Sequence, residues 1–259
     1  MKRFQADLRD EINTLLERAF NHFNTIDFIT DDPVQIPHRF RDREDIEIAG
    51  LLTALMSWGS RKAIIEKASE LMQRLDQSPG EFVKDTNPAK YQALKGFVYR
   101  TFQEADIHFI LEGLNHIYLH CQNPERVFHP LEGETDMSGG IMRFRNAMLS
   151  VPHLQRSEKH LASPFAGSAA KRINMFLRWM VRKDPSGVDF GLWEIPPSLL
   201  VCPLDVHSGR TARKLGLLTR KANDWKAAME LTVKLRELDP EDPVKYDFAL
   251  FGLSRYPFA

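Results

Sequence analysis

The fold is decided by residues 163–218, which read SPFAGSAAKRINMFLRWMVRKDPSGVDFGLWEIPPSLLVCPLDVHSGRTARKLGLL. In the first half, apolar residues recur at intervals of three and four, which predicts an amphipathic α-helix from Ser168 to Arg182. The residues of its apolar face are Ile173, Phe176, Leu177, Met180 and Val181. In the second half, the apolar segment LLVCPLD leads into a cationic helix that we expect from about Ser208 to Gly216.

Lys171 falls in the first turn of the predicted 168–182 helix. The unpaired amides and the positive end of the helix dipole disfavour an ammonium there, and Arg172 adds a like charge. These surroundings favour the neutral amine, which is the nucleophile of Schiff-base chemistry. The alternative is a solvated lysine at a helix end, which is the ordinary situation of a lysine.

Asp205 stands directly before the second predicted helix. Aspartate is a favoured N-cap residue, because its side chain accepts hydrogen bonds from the first amides of the helix. On local grounds the residue is therefore either a helix cap or a functional carboxylate.

The pattern PLDVHSGR around Asp205 resembles the signature that carries the catalytic aspartate of the helix-hairpin-helix (HhH-GPD) DNA glycosylase superfamily. The layout SPFAGSAAKRINMFLRWM is similar to the hairpin and helix that carry the nucleophilic lysine of its lyase-competent members, with Pro164, Gly167 and Lys171 in the matching places. The hairpin lacks the first glycine of the usual pair. The lysine precedes the aspartate by 34 positions, a spacing similar to that of the archaeal 8-oxoguanine glycosylases.

This resemblance implies an all-α fold of two helical lobes with a central cleft, and damaged duplex DNA as the partner. It implies that Lys171 attacks the anomeric carbon of a damaged nucleotide, while Asp205 helps to deprotonate the lysine and stabilises charge. It also implies DNA contacts. The residues implied are Gly167, His207, Arg210 and Arg213, together with the turn formed by Trp58, Gly59, Ser60 and Arg61.

The turn at Trp58 also has a physical reading of its own. An indole can stack on an extruded base, and an arginine near a helix start can meet a phosphate. The alternative is that Trp58 is a core aromatic residue and that Gly59 simply ends a helix.

The bulk properties restrict the class of protein. A chain of 259 residues with 43% hydrophobic residues can bury a sizeable core, and it carries no apolar run of membrane-spanning length. The N-terminal segment reads as an amphipathic helix rather than a signal peptide, so we expect a cytoplasmic protein without a membrane partner. The two cysteines, Cys121 and Cys202, indicate neither a disulfide framework nor a zinc site and exclude a four-cysteine iron–sulfur cluster. No cofactor is predicted.

Positive charge is concentrated in one part of the sequence. Residues 171–236 contain 13 Lys and Arg against 6 Asp and Glu, a net charge of +7, so the rest of this formally neutral chain carries −7. Such an excess is typical of a nucleic-acid-binding face. The alternative is a set of solvated helix faces.

A histidine stripe supports a competing hypothesis. His108, Glu112, His116 and His120 follow one another in steps of four, and such side chains share one face of a helix and can hold a transition metal. The alternative is a solvent-facing polar stripe.

We therefore predict one HhH-GPD-like helical protein over residues 1–259. Its sub-lobes are expected at about 30–140 and 141–236, with 1–29 and 237–259 packed on the body. The predicted function is a DNA base-excision glycosylase with AP-lyase activity that acts on a flipped, damaged base such as an oxidised purine. The alternatives are a non-catalytic nucleic-acid-binding relative and a metal-dependent helical enzyme that uses the histidine stripe.

Overall fold

The computed structural model describes the backbone of residues 2–255 and the side chains of residues 9–255. The described chain is mostly helical, as predicted, and its one sheet is a two-stranded antiparallel hairpin. The α-helices are α1 Lys2–Phe23, α2 Asp27–Thr30, α3 Arg43–Met56, α4 Arg61–Arg74, α5 Pro79–Lys84, α6 Glu104–Cys121, α7 Pro124–Phe128, α8 Ser138–Leu149, α9 Lys171–Val181, α10 Val206–Lys214, α11 Trp225–Arg236 and α12 Tyr246–Arg255. The strands are β1 Val98–Tyr99 and β2 Phe102–Gln103.

Short 3-10 helices connect several of these elements. They span Pro33–Gln35, Pro37–Arg39, Pro88–Leu94, Gln155–His160, Pro197–Leu199 and Pro243–Lys245. Most of them begin with proline, because its fixed φ suits the first position of a helix and its missing N–H is not needed there.

The chain divides into two compact units. The terminal unit consists of Met1–Phe28 and Gly167–Ala259, and the middle unit consists of Ile29–Ala166. In the terminal unit, α12 packs against both α1 and α10. In the middle unit, α6 packs against α7 and α8, and α3 packs against α4 and α5.

The boundary between the units lies later in the chain than the predicted division at 140. Residues 141–166, which we assigned to the second sub-lobe, belong to the middle unit. The physical reason is the packing of α8, which buries Ile141, Phe144 and Met148 and lies against α6 and α7. The predicted terminal segments 1–29 and 237–259 fall largely within the terminal unit, although residues 1 and 256–259 lie outside the described part.

The core of the terminal unit is apolar and closely enclosed. Leu16 and Ala19 of α1 are fully buried, as are Phe176 and Leu177 of α9. Gly252 of α12 stands so close to Phe23 that a Cβ atom there would lie 2.1 Å from the phenyl ring. Within residues 2–255, no helix combines the length and the apolar character that crossing a membrane requires.

Candidate functional site

The segment before α9 is shaped by two residues with positive φ. Gly167 has φ +86° and its carbonyl oxygen accepts a hydrogen bond from Trp225 N at 3.0 Å. Ser168 forms an isolated β-bridge with Asp224, and Ala170 is left-handed at φ 49°. Because neither conformation is helical, α9 begins at Lys171. The predicted start at Ser168 is therefore three residues too early.

Lys171 is therefore the first residue of α9, and its side chain is partly buried. The amine donates a hydrogen bond to Met175 Sδ at 3.4 Å, one turn further along the helix. Among the described residues it pairs with no carboxylate. A lysine amine that contacts only a thioether sulfur is available for chemistry, since no ion pair has to be broken first.

Asp205 is the N-cap of α10, and the cap uses only one of its two carboxylate oxygens. Oδ1 accepts hydrogen bonds from His207 N at 2.7 Å and from Ser208 N at 3.0 Å, and the Ser208 hydroxyl accepts one from Asp205 N at 3.0 Å. No described residue donates a hydrogen bond to Oδ2. The helix thus holds the carboxylate in a fixed orientation and leaves one oxygen for a ligand.

The cationic side chains of α10 differ in their surroundings. Arg213 is committed to the following loop, because its guanidinium donates hydrogen bonds to the Arg220 and Lys221 carbonyl oxygens and to Asn223 Oδ1. The side chain of Arg210 is exposed and has no partner among the described residues, and His207 is half-buried. We expected His207, Arg210 and Arg213 of α10 to contact DNA. Arg213 instead holds the following loop, and of the other two only Arg210 has an exposed side chain.

Part of the positive charge in residues 171–236 is internal and not at the surface. Arg178 and Arg182 are buried, with 5% and 2% of their side-chain surface exposed. Arg178 pairs with Asp189 at 3.2 Å and with Asp247 at 2.5 Å, and Arg182 pairs with Asp189 at 3.1 Å and with Asp242 at 2.7 Å. Two of these counterions lie beyond residue 236, so a charge count limited to 171–236 overstates the surface excess.

Asp247 is a candidate site residue that sequence reasoning missed. It lies in the first turn of α12 and is 9% exposed. Burial raises its pKa to about 6, against the opposing positive charges of Arg178 and Lys171 and with the added negative charges of Asp205 and Asp189. Lys171 and Asp205 thus lie within electrostatic range of one buried carboxylate. The sequence feature that could have identified Asp247 is that it is the one acidic residue in the mostly apolar segment that forms α12.

The other predicted DNA contacts lie in the middle unit. Trp58 is 36% exposed, its carbonyl oxygen accepts a hydrogen bond from the Tyr99 hydroxyl at 2.8 Å, and the Arg100 guanidinium lies 4.0 Å from its ring centre. The indole is therefore not a core residue.

Three neighbours of Trp58 have defined local roles. Gly59 has φ +110°, and a Cβ there would lie 2.5 Å from the Arg100 guanidinium. Ser60 caps α4 by accepting a hydrogen bond from Ala63 N, and Arg61 pairs with Asp32 at 3.1 Å. Glycine is needed at position 59 both for the turn and for the approach of Arg100 to the indole.

The histidine stripe does not converge on a metal site. Glu112 accepts a hydrogen bond from the Tyr91 hydroxyl at 2.6 Å, and the His108 ring lies against the Tyr91 ring with 3.8 Å between centres. In the part of the chain that the structure describes, no group of three or more His, Cys, Asp and Glu side chains is placed to hold a metal ion.

One comparison with known proteins identifies a family. Residues 32–255 match the family model described as Protein of unknown function (DUF2400). The chain belongs to this family. The match covers all of α3–α12, including Lys171, Asp205 and Asp247, so these residues are part of the family domain. No curated protein and no solved structure matched the chain.

Proposed function

We propose that this protein is a DNA base-excision glycosylase of the HhH-GPD type that forms a Schiff base through Lys171. One observation carries the proposal. Among the described residues, the amine at the start of α9 has no ion-pair partner and the capping carboxylate at the start of α10 has one oxygen without a hydrogen-bond donor; both groups lie within electrostatic range of Asp247. An amine nucleophile with a nearby fixed negative charge is the arrangement that displacement at a sugar carbon requires.

The proposed reaction begins with extrusion of the damaged nucleotide, because a stacked base shields its own glycosidic bond. The neutral Lys171 amine then forms a bond to C1′ while the bond from C1′ to the base breaks and its electron pair leaves with the base. The developing positive charge on the sugar is stabilised by Asp205, whose Oδ2 accepts no hydrogen bond from the described residues. Opening of the sugar ring gives the Schiff base, from which strand cleavage can follow.

DNA contacts are proposed at two places in the terminal unit. The turn at Gly167 precedes the uncapped amides of the first turn of α9, and amides of this kind bind phosphate. His207 and the exposed Arg210 lie at the start of α10. Trp58 and Arg100 of the middle unit offer a stacking surface with a cation.

Borohydride trapping tests the proposal. Wild-type protein should form a covalent adduct with duplex DNA from a panel that contains 8-oxoguanine, hypoxanthine, uracil or an abasic site, because borohydride reduces a Schiff base to a stable amine. Lys171→Gln should abolish the adduct. The matched control is Lys183→Gln, an equivalent change at a lysine that pairs with Glu194 at the surface beyond the other end of α9, and it should retain the adduct.

A negative result is equally informative. If the wild-type protein releases no base and forms no adduct on any member of the panel, the proposed enzymatic function is wrong.

A second candidate is nucleic-acid binding without catalysis. The exposed Arg210 and Lys214 of α10 have no partners among the described residues, and their availability to a polyanion does not depend on Lys171. Salt-dependent DNA binding that is unchanged by Lys171→Gln and by Asp205→Asn, in the absence of any adduct, would favour this candidate.

A further inference from the structure

We propose that Asp247 is the proton acceptor for Lys171. The resemblance assigns both deprotonation of the lysine and stabilisation of charge to Asp205 alone, whereas here each role belongs to a different carboxylate. In this division Asp247 removes and returns a proton, and Asp205 supplies a fixed negative charge. The inference rests on the proposed function, and it gives a role to a residue of α12 that neither the sequence motifs nor the family match had indicated.

Asp247 is held by only one of its two carboxylate oxygens. Its Oδ2 accepts a hydrogen bond from Arg178 Nη1 at 2.5 Å. Arg178 is itself fixed, because its Nε donates to Asp189 Oδ1 at 3.2 Å and its guanidinium lies 4.1 Å from the centre of the Phe248 ring. The other oxygen of Asp247, Oδ1, receives no hydrogen bond from the described residues.

The Oδ1 atom of Asp247 is not sealed off from solvent. The Asp247 residue is 9% exposed, and its side chain keeps 12% of its surface open. No described residue donates to Oδ1, and this oxygen is not fully enclosed by the protein. A buried carboxylate oxygen without a donor is costly unless a ligand or water meets it. Asp247 therefore has one unsatisfied oxygen that still reaches the surface of the terminal unit.

The Lys171 side chain runs along one face of α9. Lys171, Met175 and Arg178 are separated by four and three residues, so they lie on one face of α9. Because the Lys171 amine contacts Met175 Sδ, its side chain runs along that face towards Arg178 and the carboxylate that Arg178 holds. The positive charge of Lys171 acts to lower the pKa of Asp247, so the amine and this carboxylate lie within electrostatic range of each other.

Several charged groups act on Asp247. The groups that act on it are Arg178 and Lys171 of α9, Asp189 of the loop after α9, and Asp205 at the start of α10. Burial is the largest influence and raises the pKa of Asp247 to about 6. The nearby Cys202 thiol does not compete for the proton, since burial keeps its own pKa well above the usual value.

The proton balance follows from these positions. Ionised Asp247 takes one proton from the Lys171 ammonium, and the neutral amine then forms its bond to C1′. The bond between C1′ and the base breaks with its electron pair on the base, and protonated Asp247 gives its proton to the departing base. Asp205 neither takes nor gives a proton in this sequence, and no oxidant or other reactant is needed. Because Asp247 exchanges a proton first with the Lys171 amine and then with the departing base, it acts as the general base and then the general acid of this reaction.

The pH profile of trapping tests this role. Adduct formation on duplex DNA with a damaged base, from which a base must depart, is measured with cyanoborohydride between pH 5 and pH 8, for wild type, Asp247→Asn and Asp205→Asn. The wild-type rate should fall as the pH drops through about 6, because a protonated Asp247 cannot accept a proton. Asp247→Asn should react at least about tenfold more slowly at pH 7.5 and should lose the inflection near pH 6. Asp205→Asn should be slower at every pH and keep that inflection.

A second measurement needs no DNA and separates this inference from the proposed function. Competitive labelling of the whole protein with acetic anhydride, read by peptide mass spectrometry, reports the reactivity of each lysine amine. Removing the negative charge of Asp247 favours the neutral amine, so Lys171 in Asp247→Asn should label at least about threefold faster at pH 7. Lys183 and Lys226, measured in the same digest, should label at unchanged rates.

Faster labelling combined with slower trapping supports a proton acceptor, whereas a purely structural role would leave the pH inflection in place. Equal Lys171 labelling in wild type and Asp247→Asn overturns the inference, whether or not the wild type forms an adduct. Absence of any wild-type adduct instead contradicts the proposed function. A melting curve of Asp247→Asn that matches wild type at pH 7 within a few degrees confirms that both variants are compared in the folded state.

Discussion

Asp205 uses its two carboxylate oxygens for different purposes. Oδ1 is the cap of α10, while Oδ2 accepts no hydrogen bond from the described residues. The two readings of this residue from the sequence, helix cap and functional carboxylate, are therefore compatible. A substitution that keeps the cap and removes the charge can separate them.

The cap predicts a stability difference between two substitutions. Asp205→Ala should lower the free energy of unfolding by about 1 kcal/mol, because two amides of α10 lose their acceptor. Asp205→Asn should lower the free energy of unfolding by only a few tenths of a kcal/mol, since the asparagine carbonyl oxygen can accept the same hydrogen bonds. Urea denaturation at pH 7 measures both. Equal losses for the two variants would show that charge and not capping is what stabilises the start of α10.

Asp247 predicts a pH dependence of stability. Its pKa is raised from 3.8 to about 6 in the folded state, so between these values the folded protein binds a proton that the unfolded chain does not. Stability contributed by this group is present at low pH and is lost as the pH rises through about 6. Asp247→Asn does not titrate, so its stability relative to wild type should increase from pH 4 to pH 7 by up to about 3 kcal/mol. Chemical denaturation across this range measures the difference, and a constant difference would contradict the assignment.

At the scale of the element, α10 combines a capped start with a cationic surface. Arg213 organises the loop that follows, whereas Arg210 and Lys214 are exposed and have no partner among the described residues. The exposed pair is therefore the part of this helix that is available to phosphate groups.

The α10 cations predict a change in the salt dependence of DNA binding. Each phosphate contact releases condensed counterions, so Arg210→Gln and Lys214→Gln should each reduce the slope of log K against log salt by about 1. Fluorescence anisotropy with a short labelled duplex at several salt concentrations measures the slope. Lys183→Gln, which removes an equal charge outside α10, should leave the slope unchanged. Slopes that all match wild type would exclude α10 from the interface.

Several elements were predictable from the sequence because their cause is local. The apolar spacing of α9 and the aspartate before α10 both appear in the structure, and each depends on neighbouring residues alone. The start of α9 was placed three residues too early, because the bridge between Ser168 and Asp224 is a contact between distant parts of the chain. For the same reason Arg178 was counted as surface charge, although Asp247 neutralises it in the interior.

At the scale of the whole molecule, the terminal unit is built from both ends of the described chain. Helix α1 packs against α12, and these helices are separated by the entire middle unit in sequence. Periodicity predicted each helix but not this pairing, because a hydrophobic face does not specify which other face covers it.

The contact between α1 and α12 predicts the effect of one added methyl group. In Gly252→Ala the new Cβ would lie 2.1 Å from the Phe23 ring, so the two helices must move apart. We expect a loss of about 1–3 kcal/mol in the free energy of unfolding and faster amide exchange in α1. Ser254→Ala on the same helix removes only a hydrogen bond to the Phe251 carbonyl oxygen and should change stability by less than about 0.5 kcal/mol. Similar values for both variants would contradict the close packing.

The discontinuity of the terminal unit has a consequence for biosynthesis. A ribosome that adds roughly 5–20 residues per second needs on the order of ten to forty seconds to pass from α1 to α12. During that interval the first helix emerges without the surface that covers it, whereas residues 29–166 can already collapse on themselves. The first helix of the nascent chain would therefore stay open to chaperones until translation reaches α12, the helix that covers it.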